Sequence, residues 1–263
     1  MVRLQMILSP AKTLNFDGHG VPFEARRPIG VETADALAEM LARESVGSLR
    51  DILSVSASIA QENKARYEEW TEAPKVPAIL AYDGFAFDKL RGRHLSAESL
   101  EVAHSRLVVL SGLWGPVRAL DWIKPYRLEM GCKKLPEPYK KLSLYWKETA
   151  TRCVLDGFTA EPRLLLNVAS DEYAAAVDLR GLKESGVQII KADFTDAAGT
   201  RQPTVHLKYA RGLLARYVII NDVDSLEALE GFDLEEYEHA RTEGDRIVFK
   251  KGDPRTKRAK TSA

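Results

Sequence analysis

The sequence predicts an α+β protein, a single domain with a mixed β-sheet surrounded by helices. Short apolar runs of strand length recur near Leu4–Leu8, Leu107–Leu110, Leu164–Val168 and Val187–Phe194. Between them lie segments whose apolar residues fall at helical spacing. Strands neither alternate strictly with helices nor cluster in one half, which argues for a mixed sheet rather than a regular βαβ array. With 263 residues, 45% of them hydrophobic and 29% charged, the chain can bury a substantial core and has an ordinary globular composition. No Pro/Gly/Ser-rich linker divides residues 1–250, and residues 251–263 read as a basic, disordered tail.

Arg3–Leu8 reads as a buried strand. Residues 9–31 follow as a long Gly- and Pro-containing loop, and a loop of that length in a compact domain is usually functional or mobile. Thr33–Glu44 has helical spacing through Ala34, Leu37, Ala38 and Leu41. A second helix follows Ser48 and a third runs from Ser58 to Trp70. Ala78–Tyr82 reads as a strand ending at Asp83-Gly84, and Ser96–Ser105 as a helix with Ser96 at its N-cap. Tyr139–Leu155 is an amphipathic helical segment. Leu164–Val168 leads into a helix over Ser170–Leu179, capped by Ser170 or Asp171. Val187–Phe194 and Pro203–Leu207 read as hairpin strands around a turn at Ala197–Thr200. Lys208–Ile220 is a strong helix, Ser225–Leu229 a short one, and Arg246–Lys250 a terminal strand.

Residues 110–131, LSGLWGPVRALDWIKPYRLEMG, carry the most information. Gly112 and Gly115 lack a Cβ and allow close backbone approach. Leu107, Leu110, Gly112, Leu113, Gly115, Ala119 and Trp122 fill the apolar, glycine and alanine positions of a helix-hairpin-helix. Trp114 adds one residue between the glycines. The same residues also suit a buried strand, Arg106–Leu110, ending in a glycine turn. Both readings stand at this level.

Charge is balanced, with 38 Lys and Arg against 38 Asp and Glu, but it is spread unevenly. Residues 124–152 hold eight basic side chains against three acids, and residues 201–217 hold four against none. Lys124, Arg127, Lys133 and Lys134 fall in the first block, and Lys208, Arg211 and Arg216 in the second. Such blocks are either solvated faces or a surface that steers a polyanion. Lys12, in Ser9-Pro10-Ala11-Lys12-Thr13, follows the first strand directly and could hold a phosphate, without the glycines of a P-loop. Asn167–Glu172 sits at a strand-to-helix junction, where free N–H groups favour an anion and also suit a simple N-cap.

Two cysteines, Cys132 and Cys153, are too few for a disulfide scaffold and point to a cytoplasmic location. No signal-peptide core and no membrane-length apolar run is present. The five histidines show no metal-site spacing; Asp17-x-His19 offers at most two ligands, and no metal or cofactor is expected. No GxSxG elbow occurs.

The segments ILSPAKTLNF (7–16), LSGLWGPVRALDWIKPYRLEMG (110–131), LNVASDEYAAAV (166–177), KADF (191–194) and HLKYARGLLARYVI (206–219) together resemble the YaaA family of peroxide stress resistance proteins. The resemblance covers about residues 6–250. It implies a YaaA-type mixed fold with a positively charged cleft and a helix-hairpin-helix-like element. It also implies a cytoplasmic DNA-binding protein of the peroxide response, linked to iron-driven damage and recombinational repair.

The sequence reading therefore expects largely sequence-independent binding of duplex or branched DNA through Lys12, Gly112, Gly115, Lys124, Arg127, Lys133, Lys134, Lys208, Arg211 and Arg216. Repair proteins are possible further partners, and no membrane is expected. Lys12, Arg127, Lys208 and Arg211 are expected to converge on one concave region. The alternative is an enzyme acting on a nucleotide or small phosphorylated substrate, with a pocket of Lys12, Tyr126, Arg127, Asn167, Ser170, Glu172 and Lys208.

Overall fold

The computed structural model describes residues 1–17 and 25–252. Its strands are β1 (Leu4–Leu8), β2 (Thr13–Leu14), β3 (Val76–Pro77), β4 (Tyr82–Asp83), β5 (Leu107–Ser111), β6 (Gly115–Arg118), β7 (Trp122–Ile123), β8 (Leu164–Asn167), β9 (Gln188–Thr195), β10 (Tyr237–Glu243) and β11 (Arg246–Lys251). Its helices are α1 (Val31–Ala42), α2 (Val46–Leu53), α3 (Ala57–Glu68), α4 (Ala78–Ala81), α5 (Phe85–Leu90), α6 (Ala97–Arg106), α7 (Leu142–Tyr145), α8 (Lys147–Leu155), α9 (Asp171–Ala174), α10 (Leu179–Glu184), α11 (Thr204–Ile220) and α12 (Leu226–Glu230). The fold is α+β around a mixed sheet, as the sequence predicts.

Seven strands form the sheet in the order β10-β11-β9-β8-β1-β5-β6. The five from β11 to β5 are mutually parallel, while β6 and β10 pair antiparallel at the two edges. Parallel strands need cover on both faces, and their sequences accordingly read as continuous apolar runs. All five residues of β1 are buried. Leu4, Met6 and Leu8 point into a core shared with α1–α3 and α11, and Ile7 points into a second core with α8 and α10. Gln5 is the buried polar exception. Its amide donates to the carbonyls of Ser105 at 2.7 Å and Gly157 at 3.0 Å, which offsets the cost of its burial.

Several local expectations change in three dimensions. Residues 78–81 form a buried turn of helix rather than a strand, because a short apolar run has no period that separates the two. The amphipathic stretch from Tyr139 divides into α7 and α8 at Trp146, whose indole N–H donates to the Gly112 carbonyl at 3.0 Å. Residues 170–179 hold only the four-residue α9; Asp178 then caps α10 through the Gly181 amide at 3.2 Å. Pro203–Leu207 is not a strand, since α11 starts at Thr204. Ser96 caps α6 as expected, accepting from the Ser99 amide at 3.1 Å. Lys251 closes β11, so the first residue assigned to the tail belongs to the sheet; residues 253–263 lie outside the described residues.

Two titratable groups, buried Asp121 and half-buried His104, flank the β5–β6 hairpin. Asp121 accepts from the Arg118 amide at 2.8 Å, and His104 Nδ1 accepts from the Leu120 amide at 3.2 Å. Burial raises the Asp121 carboxyl from 3.8 to about 6. Burial also lowers the His104 imidazole from 6.5 to about 4, helped by Arg26 and Arg118. The two shifts oppose each other in stability. The raised carboxyl favours the fold at low pH and loses that advantage as pH climbs from 3.8 to about 6. The lowered imidazole favours the fold above 6.5 and loses that advantage as pH falls to about 4. Two pK units are worth about 3 kcal/mol. Denaturant melts between pH 4 and 7 should therefore show Asp121→Asn gaining stability as pH rises and His104→Asn losing it, with the wild type flatter than either. Parallel pH profiles for all three proteins would refute this compensation.

Candidate functional site beyond the strand ends

The sheet order places β5 on one side of β1 and β8 on the other. Loops leaving β1 and β8 therefore diverge, and ligands of open parallel sheets bind in the crevice made at such a switch point. Here the two loops are tied together. Ser9 Oγ accepts from the Ser170 amide at 2.9 Å and lies 3.3 Å from Ser170 Oγ. Asn167 is buried and its side-chain oxygen accepts from the Ala169 amide at 3.0 Å. Asn167 and Ser170 thus brace the turn, a local role that the sequence alone left open.

Lys12 and Arg127 meet as expected, and what joins them is Glu129. The carboxylate lies 2.8 Å from Lys12 Nζ and 3.0 Å from an Arg127 guanidinium nitrogen. Burial works to raise the Glu129 carboxyl, but the two cations outweigh it and hold it below the ordinary value. Beside this triad runs a chain of hydroxyls. Tyr126 Oη lies 2.7 Å from Ser111 Oγ and 2.8 Å from Tyr82 Oη. Burial pushes the Tyr126 phenol up to about 12 and the Tyr82 and Tyr173 phenols well above their usual value. All three stay neutral at physiological pH, so they act as hydrogen-bond donors and acceptors and not as bases. Glu172 adds a tie to the same loop, accepting from the Gly131 amide at 2.8 Å.

Lys208 and Arg211 lie on the adjoining face of α11. Lys208 is exposed, with Nζ 6.0 Å from the Phe85 ring centre. Arg211 is partly buried; burial and then Arg201 lower its affinity for its proton, while Asp171 and Asp193 support the charge. Asp171 is itself bound to Lys191 at 2.7 Å. Among the described residues no hydrogen bond or ion pair joins Lys208 or Arg211 to the Lys12–Glu129–Arg127 triad, so of the four cations expected to converge only Lys12 and Arg127 share a partner.

Other expected site residues prove structural. Residues 107–118 form the β5–β6 hairpin, so the glycines sit between strands and no helix-hairpin-helix forms there. Every residue from Leu107 to Val117 is buried. A Cβ at Gly112 would lie 2.5 Å from the Leu128 carbonyl oxygen. At Gly115, with φ +68°, it would collide with the Trp146 indole. The close approach that these glycines permit is therefore to the protein's own chain. Lys124 is buried too, donating to the Trp70 carbonyl at 2.6 Å and lying 5.0 Å from the Trp70 ring centre; burial lowers its pKa. Arg216 donates to the Leu90 carbonyl at 3.1 Å, closing the end of α5.

Lys133 and Lys134 remain exposed and are joined by Lys140 and Lys141. Lys133, Lys140 and Lys141 line a groove of about 610 Å³ whose other walls include Met130, Leu144 and Tyr145. These three lysines form no ion pair among the described residues, and Lys134 has only a long one, 3.9 Å to Asp51. Sequence reasoning missed Glu129, Tyr82, Ser111 and Tyr173. Glu129 stands two residues beyond the Arg127 already singled out, and Tyr82 directly precedes the Asp83-Gly84 turn. Asp17-x-His19 falls at the edge of the described residues, with His19 outside them. Among the described residues no group of three or more metal-ligating side chains converges, and no helix is long and apolar enough to cross a membrane.

The fold and site define an α+β protein whose polar, cation-rich face lies beyond the carboxyl edge of a parallel sheet core. Comparison with known sequences then places it: the chain belongs to the family described as Peroxide stress protein YaaA, whose profile matches residues 4–243. It is 36% identical to a UPF0246 protein of Bordetella pertussis over 252 residues, covering 93% of this chain and 98% of the relative. A UPF0246 protein of Delftia acidovorans is 34% identical over 262 residues, with 94% and 98% coverage. One from Flavobacterium johnsoniae is 30% identical over 254 residues, with 94% and 99% coverage.

Because the hairpin glycines are packed against protein, their replacement should act on folding. Gly115→Val combines a left-handed backbone with a clash against Trp146, and should cost about 3 kcal/mol or more. Thermal melting should show a large loss of Tm, alongside any loss of ligand binding. An unchanged Tm would restore the view that the glycines serve a ligand.

Proposed function

We propose that this protein binds the DNA backbone with little sequence preference and serves the peroxide response by protecting DNA against iron-driven damage. The observation that carries the reading is the set of exposed lysines around the 610 Å³ groove, Lys133, Lys140 and Lys141, with Lys134 at its flank. Ammonium groups without carboxylate partners are free to displace counterions from phosphates, whereas those in ion pairs must first be released. Lys208 adds a further exposed cation without a carboxylate partner among the described residues, on α11. Family membership supports the physiological setting, and DNA is the polyanion whose damage by peroxide and iron such a protein would limit.

A second reading, a small phosphorylated ligand at the switch point, is favoured by Arg127. Its Nε is buried without a hydrogen-bond partner among the described residues. Against it, Glu129 already occupies both Lys12 and Arg127, so an anion there would have to displace a well-placed carboxylate. Electrostatics thus favour the unpaired lysines as the first contact.

Binding to a short duplex should weaken steeply with salt. Lys140→Gln with Lys141→Gln should lower the magnitude of the log–log salt slope by about 1.8, at ~0.9 per phosphate contact on duplex DNA. Both side chains are exposed, so the fold should be unaffected. Duplex affinity that stays flat between low and moderate salt would sink the reading.

A further inference from the structure

An exposed aromatic cluster beside the positive face is not explained by the core. Phe85, the first residue of α5, is 41% exposed, one of few large apolar side chains in that state. Its ring meets the Tyr209 ring edge-on, with centres 5.2 Å apart. His206 extends the group, its ring centre 6.4 Å from that of Tyr209. Two ammonium groups attend these rings. Lys208 Nζ lies 6.0 Å from the Phe85 ring centre and Lys89 Nζ lies 5.4 Å from the Tyr209 ring centre. Lys89 is held by Glu235 at 2.5 Å, whereas Lys208 has no carboxylate partner among the described residues.

The helices that carry the cluster are packed tightly together. Helices α5 and α11 pack so closely at Gly212 that any Cβ there would collide with the Ala86 carbonyl. Arg216 pins the other end of α5 through the Leu90 carbonyl. The backbones that carry Phe85 and Tyr209 are therefore fixed against each other. A fixed, exposed ring with an unpaired cation over it matches what a nucleobase and its phosphate require: a π-face for stacking and a positive charge within reach. A paired base offers no free face to such a ring, so the occupant must be unstacked.

We propose that Phe85, supported edge-on by Tyr209, is a stacking platform for one unpaired base of a DNA strand, and that Lys208 holds the adjacent phosphate. The proposal rests on the DNA-binding reading and adds to it a selective site for single-stranded or locally opened DNA. It shares no residue with the lining of the lysine groove, which would engage backbone without regard to pairing.

The test uses the full-length chain and a short single-stranded DNA carrying one 2-aminopurine, with a fully paired duplex of the same length as control. Wild type should alter the 2-aminopurine fluorescence on binding, as stacking on a ring does. Phe85→Leu should abolish that change and weaken single-strand binding roughly 10- to 100-fold, the range expected for one base on one aromatic ring. Duplex affinity should move less than about twofold, and Phe85→Trp should restore the fluorescence change. Lys208→Gln should reduce the single-strand salt slope by ~0.7. Circular dichroism establishes that each variant is folded. Unaltered fluorescence in the wild type, or a Phe85→Leu protein that behaves like wild type, overturns the platform while leaving duplex binding intact. If wild type binds neither DNA, both this proposal and the DNA reading fall. Tighter binding and a larger fluorescence change with the matching RNA strand would overturn the assignment to DNA.

Discussion

The burial of β1 between two parallel neighbours constrains everything else in this molecule. A strand whose five residues are all buried has no place for polar side chains except Gln5, which is held by two carbonyls. Polar chemistry is therefore expelled to the strand ends. Because β5 and β8 flank β1 on opposite sides, the loops leaving β1 and β8 part at the carboxyl edge. Ser9, Ser170, Lys12, Glu129 and the tyrosine hydroxyls all gather there. Had β1 been an edge strand with a wet face, its polar residues could have spread along the sheet.

The site region is consequently built in two electrostatic regimes. Close to the sheet, charges are matched and hydroxyls are neutral: Glu129 answers Lys12 and Arg127, and the buried phenols hold their protons. Further out, Lys133, Lys140, Lys141 and Lys208 project without carboxylate partners among the described residues. Burial makes an unmatched charge costly, so the inner layer had to be neutralised, while water shields the outer one. This division explains why net charge gives no hint of function. The chain's 38 acids balance its 38 bases, but the acid-rich stretch from Asp222 to Asp245 spans α12, β10 and the segments around them, while the groove lining holds Glu137 and Glu172 beside its three lysines.

Much of the architecture was legible because periodicity and caps are local. The apolar runs of β1, β5, β8 and β9, the helical spacing of α1 and the Ser96 cap could be read without tertiary information. The failures share a different cause. Tyr237–Glu243, missed as a strand, alternates little and is mostly exposed; it exists because β11 offers it an edge. The first turn of α11 was read as a strand because Thr204, Val205 and His206 are all exposed and lack a helical apolar stripe. At the hairpin, the helix-hairpin-helix pattern and a buried β-turn use the same glycines, and only the packing of Trp146 and residues 128–129 distinguishes them. Likewise, Lys124 and Arg216 looked like surface cations from spacing alone, but backbone carbonyls at Trp70 and Leu90 needed donors.

That last point changes how basic residues in such a chain should be weighed. A lysine or arginine satisfies buried carbonyls as readily as phosphates, because the donor chemistry is the same. Density of positive charge along the sequence therefore cannot separate the two uses. What separates them is the partner: Lys124 and Arg216 already have carbonyl acceptors, Lys12 and Arg127 share a carboxylate, and the groove lysines and Lys208 have none among the described residues. The same logic applies to the aromatics. Trp114 stacks on Trp70 with 5.5 Å between centres and meets Trp122 edge-on at 5.6 Å, and Trp70 and Trp114 are buried. Phe85 is 41% exposed, with the unpaired Lys208 ammonium 6.0 Å from its ring centre. Residues whose bonding capacity the fold leaves unspent are the ones available to a ligand, and here they form two sets, the lysines of the groove and the Phe85–Lys208 pair where α5 meets α11.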